Sequence, residues 1–172
     1  RLPRVLAAFA CGGLLALAGA LLQVLLRNPL ADPYILGVSG GAAVGALTAM
    51  LLGWGLVLAN LTSLAGALAA MAIVFGLSFR AGDWNLYRLL LTGVVLSAGC
   101  SALIALILTL APAGEVKGML FWLMGDVSRA GAEGLWPAWL TLLVVAAISM
   151  VFSGSLNVLS LGQMKAKTLG VA

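Results

Sequence analysis

The stretch RNPLADPYILGVSGG (Arg27–Gly41) lies between two long apolar runs and concentrates residues that end helices. Pro29 and Pro33 lack the backbone N–H that a helix interior needs, and each pushes the preceding residue toward an extended conformation. Asn28 and Asp32 are turn formers whose side chains can bond to nearby backbone groups. The stretch therefore predicts that one helix ends just before it and that the next begins after its second proline.

The regions around this turn are apolar enough to be solvated by lipid. Of the 172 residues, 63% are hydrophobic and 8% are charged, whereas about a quarter of a soluble domain is charged. No charged residue occurs in 5–26, 33–79, 89–114 or 134–164. A crossing needs roughly 20 apolar residues, so the second run holds two crossings and the others hold one each. The sequence predicts an all-α integral membrane protein, a polytopic bundle of five transmembrane helices at about 5–26, 35–53, 56–79, 89–111 and 136–153.

The charged residues at the helix ends predict an orientation. Five helices place one group of cations on one side of the membrane, namely Arg27, Arg80, Arg88, Lys165 and Lys167. The other side holds Arg1, Arg4, Lys117 and Arg129, diluted by Glu115, Asp126 and Glu133. Because cytoplasmic loops carry the excess of Lys and Arg, we expect the first group to be cytoplasmic. Segment 112–135 is then external, and Arg1 and Arg4 face outward against the rule.

Several kinds of chemistry are disfavoured by composition. The chain has no histidine, and its only cysteines, Cys11 and Cys100, lie inside apolar runs, where we expect them to be small packing residues. No lysine stands in a P-loop pattern, so we expect no nucleotide site on this chain. No predicted span carries a charge, which disfavours an ion-coupled carrier or a membrane-embedded enzyme. The small net charge of +4 does not favour nucleic acid as a partner.

Small residues recur at helical spacing in two places. Gly37, Gly41 and Gly45 are four residues apart. The same spacing relates a second set, Gly93, Ser97 and Ser101. Small residues at this spacing let helix backbones approach closely in lipid. We therefore expect close helix packing at both sets.

Five motifs, in order along the whole chain, resemble one transporter family. The central one is NPLADPYILGVSGGAAVGA (28–46), preceded by RLPRVLAAFACGGLLALAGALLQ (1–23). Three more follow: LYRLLLTGVVLSAGCSALIALIL (86–108), GMLFWLMGDVSRA (118–130) and LNVLSLGQMKAKTLGV (156–171). Together they resemble the permease subunits of ABC importers that take up ferric siderophores, haem and cobalamin. Segment 27–41, here called the signature turn, matches the family at Asn28, Pro29, Asp32, Pro33, Gly37, Ser39 and Gly41.

The resemblance implies a partial transmembrane permease domain over 1–172. Family members have about ten helices and work as a homodimer or with a paralogue, and the five helices here correspond to their second to sixth. The chain is thus expected to be a fragment of a ten-helix permease in a bacterial cytoplasmic (inner) membrane. Expected partners are an ABC ATPase subunit, a periplasmic or lipoprotein substrate-binding protein, a second permease copy and membrane lipid. ATP and Mg would bind the partner ATPase, and this chain would bind no cofactor or metal.

The resemblance also assigns roles to particular residues. Segment 156–172 would be the cytoplasmic coupling segment that meets the ATPase, with contacts from Leu161, Gly162, Lys165, Ala166, Leu169 and Gly170. Read from sequence alone, the same tail could be a basic anchor at anionic lipid. Arg1 and Arg4 would dock the binding protein, although they could also be incidental charges. Gate and pathway positions would be Asn85, Leu86, Tyr87, Thr92, Gly93, Ser97 and Ser101.

The resulting hypothesis is the permease of an ATP-driven importer of a metal chelate, without enzymatic activity of its own. We expect a ferric siderophore as cargo, with cobalamin or haem as the alternatives. A hypothesis of another class is a non-transporting membrane scaffold or a truncated remnant.

Overall fold

The computed structural model describes residues 1–80, 83–84, 86–127 and 131–160. These contain seven α-helices: α1 (Leu2–Leu26), α2 (Val38–Leu51), α3 (Leu56–Ser78), α4 (Leu86–Leu110), α5 (Ala113–Met124), α6 (Ala132–Val151) and α7 (Ser153–Ser160). A 3-10 helix (Pro33–Leu36) precedes α2. Two-residue strands, β1 (Phe79–Arg80) and β2 (Asp83–Trp84), pair antiparallel between α3 and α4. Apart from these two short strands, the regular structure of the described residues is helical.

Four of the described helices are long and apolar enough to cross a membrane, namely α1, α3, α4 and the Gly134–Val151 part of α6. The helix α2 is apolar but shorter, with 14 residues, which corresponds to about 21 Å at 1.5 Å per residue. It was predicted at 35–53. Its length is set by two glycines in the left-handed region, Gly37 (φ 72°) and Gly53 (φ 68°), which interrupt the helical backbone at either end.

Three other helices begin before the residues at which the sequence predicted them to start. α4 starts at Leu86, before the charged Arg88, and α6 starts at Ala132 rather than near 136. α1 starts at Leu2 with Pro3 in its first turn, where a missing N–H costs nothing. The runs therefore mark the apolar part of each helix, whereas the polar first turns extend beyond it. The predicted external segment 112–135 contains α5.

The chain folds as two compact units. In the unit formed by Tyr34–Gly125, α2 packs against α3, α4 and α5. A buried hydrophobic cluster in this unit joins α2, α4 and α5 through Ala43, Leu47, Ile107 and Met119. In the other unit, α1 packs against α6 and α7.

The helices α1 and α6 run parallel. Phe9 stacks on Trp139 with ring centroids 5.7 Å apart, and Gly13 lies against Leu142. Contact positions therefore advance in the same direction on both helices.

Candidate functional site

The signature turn begins with a capped helix end followed by a tight turn. Arg27 adopts a left-handed conformation (φ 48°), and the Asn28 N–H donates to the Gln23 carbonyl at 3.1 Å. The Asn28 side-chain oxygen accepts the Leu30 N–H at 2.9 Å, while the Ala31 N–H closes the turn onto the Asn28 carbonyl at 3.0 Å. Asn at the first position and Pro at the second suit this turn. The local prediction for Asn28 is confirmed.

The second half of the signature turn packs against α4. A Cβ placed on Gly93 would lie 2.6 Å from the Ile35 carbonyl oxygen, and one on Gly37 would lie 3.1 Å from the Ser97 hydroxyl. A Cβ on Gly40 would lie 2.8 Å from the Cβ of Cys100. Backbone and small side chains thus fill this contact, and Cys100, a free buried thiol, packs in it as predicted. The other free cysteine, Cys11, is exposed.

The contact between α2 and α3 is closer still. A Cβ on Gly41 would lie 2.5 Å from the Gly66 carbonyl oxygen and 2.6 Å from the Ala70 Cβ, and one on Gly45 would collide with the carbonyl oxygen of Thr62. The close packing predicted from the glycine spacing is therefore confirmed at all three glycines of the first set: Gly37 meets α4, and Gly41 and Gly45 meet α3.

The second small-residue set is only partly engaged. Gly93 is buried and Ser97 is half-buried, and both contact the signature turn. Ser101 is exposed, and its hydroxyl donates to the Ser97 carbonyl of its own helix at 2.9 Å. The close packing expected at Ser101 is not found within the described residues.

Sequence reasoning missed the α3 half of the glycine contact. Thr62, Gly66 and Ala70 face α2, and they are themselves spaced by four residues. That spacing is a small-residue signal of the same kind as Gly37–Gly41–Gly45. It was overlooked because α3 is rich in alanine along its whole length.

A groove of about 500 Å³ lies between α2, α3 and α4. It is lined mainly by small and aliphatic residues, and two threonines contribute hydroxyls. Thr48 donates to the Val44 carbonyl at 2.7 Å, and Thr62 donates to the Leu58 carbonyl at 2.9 Å. Since both hydroxyls bond to their own helices, the groove presents an apolar surface.

The predicted gate and docking residues lie at helix starts. Leu86 and Tyr87 form the exposed first turn of α4, Thr92 is half-buried one turn later, and Arg1 and Arg4 are exposed at the start of α1. Asn85 lies outside the described residues. The roles of these residues stay predictions.

The predicted ATPase contacts also lie outside the described residues. These are Leu161, Gly162, Lys165, Ala166, Leu169 and Gly170; the described chain reaches Ser160, the last residue of α7. Within the described ranges, no cluster of three or more His, Cys, Asp or Glu side chains could hold a metal ion.

Comparisons with known proteins agree with this fold. The chain is 37% identical over 172 residues to the molybdate import system permease protein MolB of Haemophilus influenzae, covering 99% of the chain and 51% of MolB. It is 38% identical over 172 residues to the vitamin B12 import system permease protein BtuC of Klebsiella pneumoniae, covering 99% of the chain and 52% of BtuC.

The chain also matches a solved structure of a transporter. A metal-chelate-type ABC transporter in an inward-facing conformation superposes with a TM-score of 0.89 at 35% identity, covering 99% of this chain and 55% of that one. The chain thus spans about half the length of the relatives it matches. The model of the FecCD transport family matches residues 1–172. The chain therefore belongs to the FecCD transport family.

Proposed function

We propose that this chain is part of the permease subunit of an ATP-driven ABC importer in a bacterial cytoplasmic membrane. The observation that carries the proposal is the match of the whole chain to the FecCD transport family. Transport is by alternating access. A partner ATPase hydrolyses ATP, and this chain performs no covalent chemistry.

Coupling to the ATPase takes place through segment 156–172. The position of this segment after the last crossing supports the assignment, because it leaves the membrane on the predicted cytoplasmic side. Lys165 and Lys167 are its charged residues. The contacts that we assign to the ATPase are Leu161, Gly162, Lys165, Ala166, Leu169 and Gly170.

On the opposite side, Arg1 and Arg4 dock a substrate-binding protein. Their exposure at the start of α1 supports this role, and charged pairs at such an interface would steer docking and fix its register. The gate lies at Asn85, Leu86 and Tyr87, where α4 begins, and the path continues along Thr92, Gly93, Ser97 and Ser101. A second permease copy completes the path.

The contacts of α4 support a mechanical link between gate and signature turn. Gly93 and Ser97 lie on the helix that follows the gate, and both touch the backbone of the signature turn. A movement of α4 that opens the gate must therefore move Ile35–Gly37 or break their contact.

The proposed cargo is a metal-containing ligand. The relatives' names include vitamin B12, molybdate and a metal chelate, so family membership leaves the cargo open among metal compounds. A ferric siderophore is our specific proposal, and cobalamin is supported equally. Uptake of labelled cobalamin and of labelled ferric siderophore by cells that express the full-length permease, its ATPase and its binding protein distinguishes the two.

The first test is co-purification of an ATPase with the full-length permease from membranes. We expect an ATPase subunit to be held by the parent protein and lost from the variant Lys165→Glu/Lys167→Glu. The matched control is Lys117→Glu, which reverses an exposed charge on α5 and should retain the ATPase. If the parent protein holds no ATPase, the importer proposal fails, and a scaffold role becomes the explanation to pursue.

A further inference from the structure

The helices α6 and α7 are separated by a single residue. α6 ends at Val151 and α7 begins at Ser153, and Phe152 lies between them with φ −90° and ψ 4°. The Phe152 N–H donates to the Ile148 carbonyl at 3.0 Å, and the Leu156 N–H donates to the Phe152 carbonyl at 2.9 Å. Helical hydrogen bonds therefore reach Phe152 from both sides, although the helix itself is interrupted there.

The interruption removes bonds that a continuous helix would form. In the described part of the chain, the amides of Ser153 and Ser155 donate to no backbone carbonyl of α6. The Ser153 hydroxyl donates instead to the Met150 carbonyl at 2.7 Å. A serine side chain that bonds to a nearby carbonyl competes with the backbone bonds of the helix and often bends it. The serine thus supplies a partner for a carbonyl beside the break.

The break has a local cause. Sharp helix kinks occur at prolines, at Gly/Ser pairs, or where a side chain inserts between the backbone bonds. Residues 138–160 contain no proline, and a Cβ on Gly154 would meet nothing within 4 Å. Ser153, Gly154 and Ser155 are all exposed. The Ser-Gly-Ser sequence therefore accounts for the break, and among the described residues no neighbour packs against its glycine.

The break lies at the end of the last crossing, beside the end of α1. α6 is long and apolar enough to cross the membrane over Gly134–Val151. Phe9 lies beside Trp139 and Gly13 beside Leu142 on the parallel helices α1 and α6. Continued in the same register, the end of α6 is level with the last turn of α1. Because α7 packs against α1, this contact lies directly before the signature turn.

We propose that segment 153–155 is a hinge about which α7 turns relative to α6 when a partner ATPase binds and hydrolyses ATP. The assignment rests on the proposed function, since α7 overlaps the start of the segment assigned to ATPase coupling. Hinges are a few residues at the ends of elements that absorb changes in φ and ψ. By this hinge α6 keeps its place in the membrane, while α7 carries the movement to the end of α1 and to the signature turn.

The test measures backbone amide exchange by mass spectrometry in the full-length permease with its ATPase, in lipid nanodiscs. The variant Ser153→Ala/Gly154→Ala/Ser155→Ala removes the competing hydroxyl and favours a continuous helix, because alanine forms helices better than glycine or serine. Its matched control, Gly134→Ala/Ser149→Ala, makes the same kinds of substitution inside α6. A Cβ on Gly134 meets nothing within 4 Å, and the Ser149 hydroxyl donates to a carbonyl of its own helix.

In the parent protein we expect the amides of 153–155 to exchange about tenfold or more faster than those within α6, because they lack backbone acceptors. We expect their rate to change about threefold or more between the nucleotide-free and the ATP-bound, vanadate-trapped state. The triple alanine variant should exchange slowly in both states, and the control should behave as the parent does.

The hinge is overturned if 153–155 is as protected as the interior of α6, or if its exchange ignores nucleotide while the ATPase is bound. If the triple variant does not fold, the two nucleotide states of the parent decide in the same way. ATPase co-purification is scored separately. A nucleotide-independent rate with a bound ATPase refutes the hinge alone, whereas a parent protein that holds no ATPase refutes the importer and the ATP-driven hinge together.

Discussion

The α2–α3 contact is formed by backbone atoms, whereas the α1–α6 contact is formed by side chains. Between α2 and α3, Gly41 and Gly66 bring backbone against backbone, and neither position has room for a Cβ. Between α1 and α6, the rings of Phe9 and Trp139 stack. Gly13 lies there under the flexible end of Leu142 rather than under backbone.

The two kinds of contact differ in how they can relax when a substitution adds or removes atoms. Lipid tails are as apolar as the side chains, so helices in a membrane associate by fit and by local polar contacts. A backbone contact can relax only by separating two helices, whereas a side-chain contact can relax by rotation. We therefore expect substitutions in α2–α3 to have large effects and those in α1–α6 to have small ones.

The largest effect is expected for Gly66→Ala. Its Cβ would collide with the Gly41 carbonyl oxygen, so α2 and α3 must separate, at a cost of about 1–3 kcal/mol. The measurement is thermal unfolding of the purified full-length permease in detergent. Gly76→Ala on the same helix is the control, because a Cβ there meets nothing within 4 Å. Equal melting temperatures for the two variants would refute the backbone contact.

A smaller loss is expected for Gly37→Asn. Asn tolerates the left-handed region better than most residues, but at Gly37 its Cβ would lie 3.1 Å from the Ser97 hydroxyl. Gly53→Asn tests the same backbone region in open space. We expect Gly37→Asn to lower stability by about 1 kcal/mol more than Gly53→Asn, again by thermal unfolding. A larger loss at Gly53 would show that crowding by α4 is unimportant.

In the other unit, Phe9→Leu removes a ring stack and keeps an apolar side chain. Aromatic pairs contribute about 0.5–1.5 kcal/mol beyond the area that they bury, so we expect a loss within that range. Phe121→Leu is the control, since Phe121 is exposed and stacks on no ring among the described residues. The stack has no energetic role if both variants unfold at the same temperature.

The smallest effect is expected for Gly13→Ala. The added Cβ would lie 3.1 Å from the methyl groups of Leu142, which can rotate away, while alanine favours the helix by about 0.5–1 kcal/mol over glycine. We expect a net change within about 0.5 kcal/mol of that for Gly12→Ala, whose Cβ meets nothing within 4 Å. A loss as large as that of Gly66→Ala would abolish the contrast between the two units.

Some of the fold and site could be predicted from the sequence because the signals are local. Prolines and Asn28 locate the turn, charge-free runs locate the crossings, and glycine spacing locates close packing. The exact length of α2 could not be predicted, because Gly37 looks like any other membrane glycine until its φ is known. The α3 partners of Gly41 and Gly45 had a signal, the four-residue spacing of Thr62, Gly66 and Ala70, but that signal does not stand out in a helix rich in alanine along its whole length.

The sequence by itself determined that the chain is an all-α protein solvated by lipid, with a proline-containing turn after its first helix; it predicted five crossings, of which four are long enough among the described helices. These properties follow from composition and from the backbone preferences of single residues. Only the tertiary structure decided that α2 starts beside the middle of α4, that Gly41 and Gly66 meet, and that Ser101 stands apart. In lipid every face of a helix is apolar, so hydropathy does not mark the buried face; glycine spacing marks where a helix can pack closely, and long-range fit decides which partner it meets.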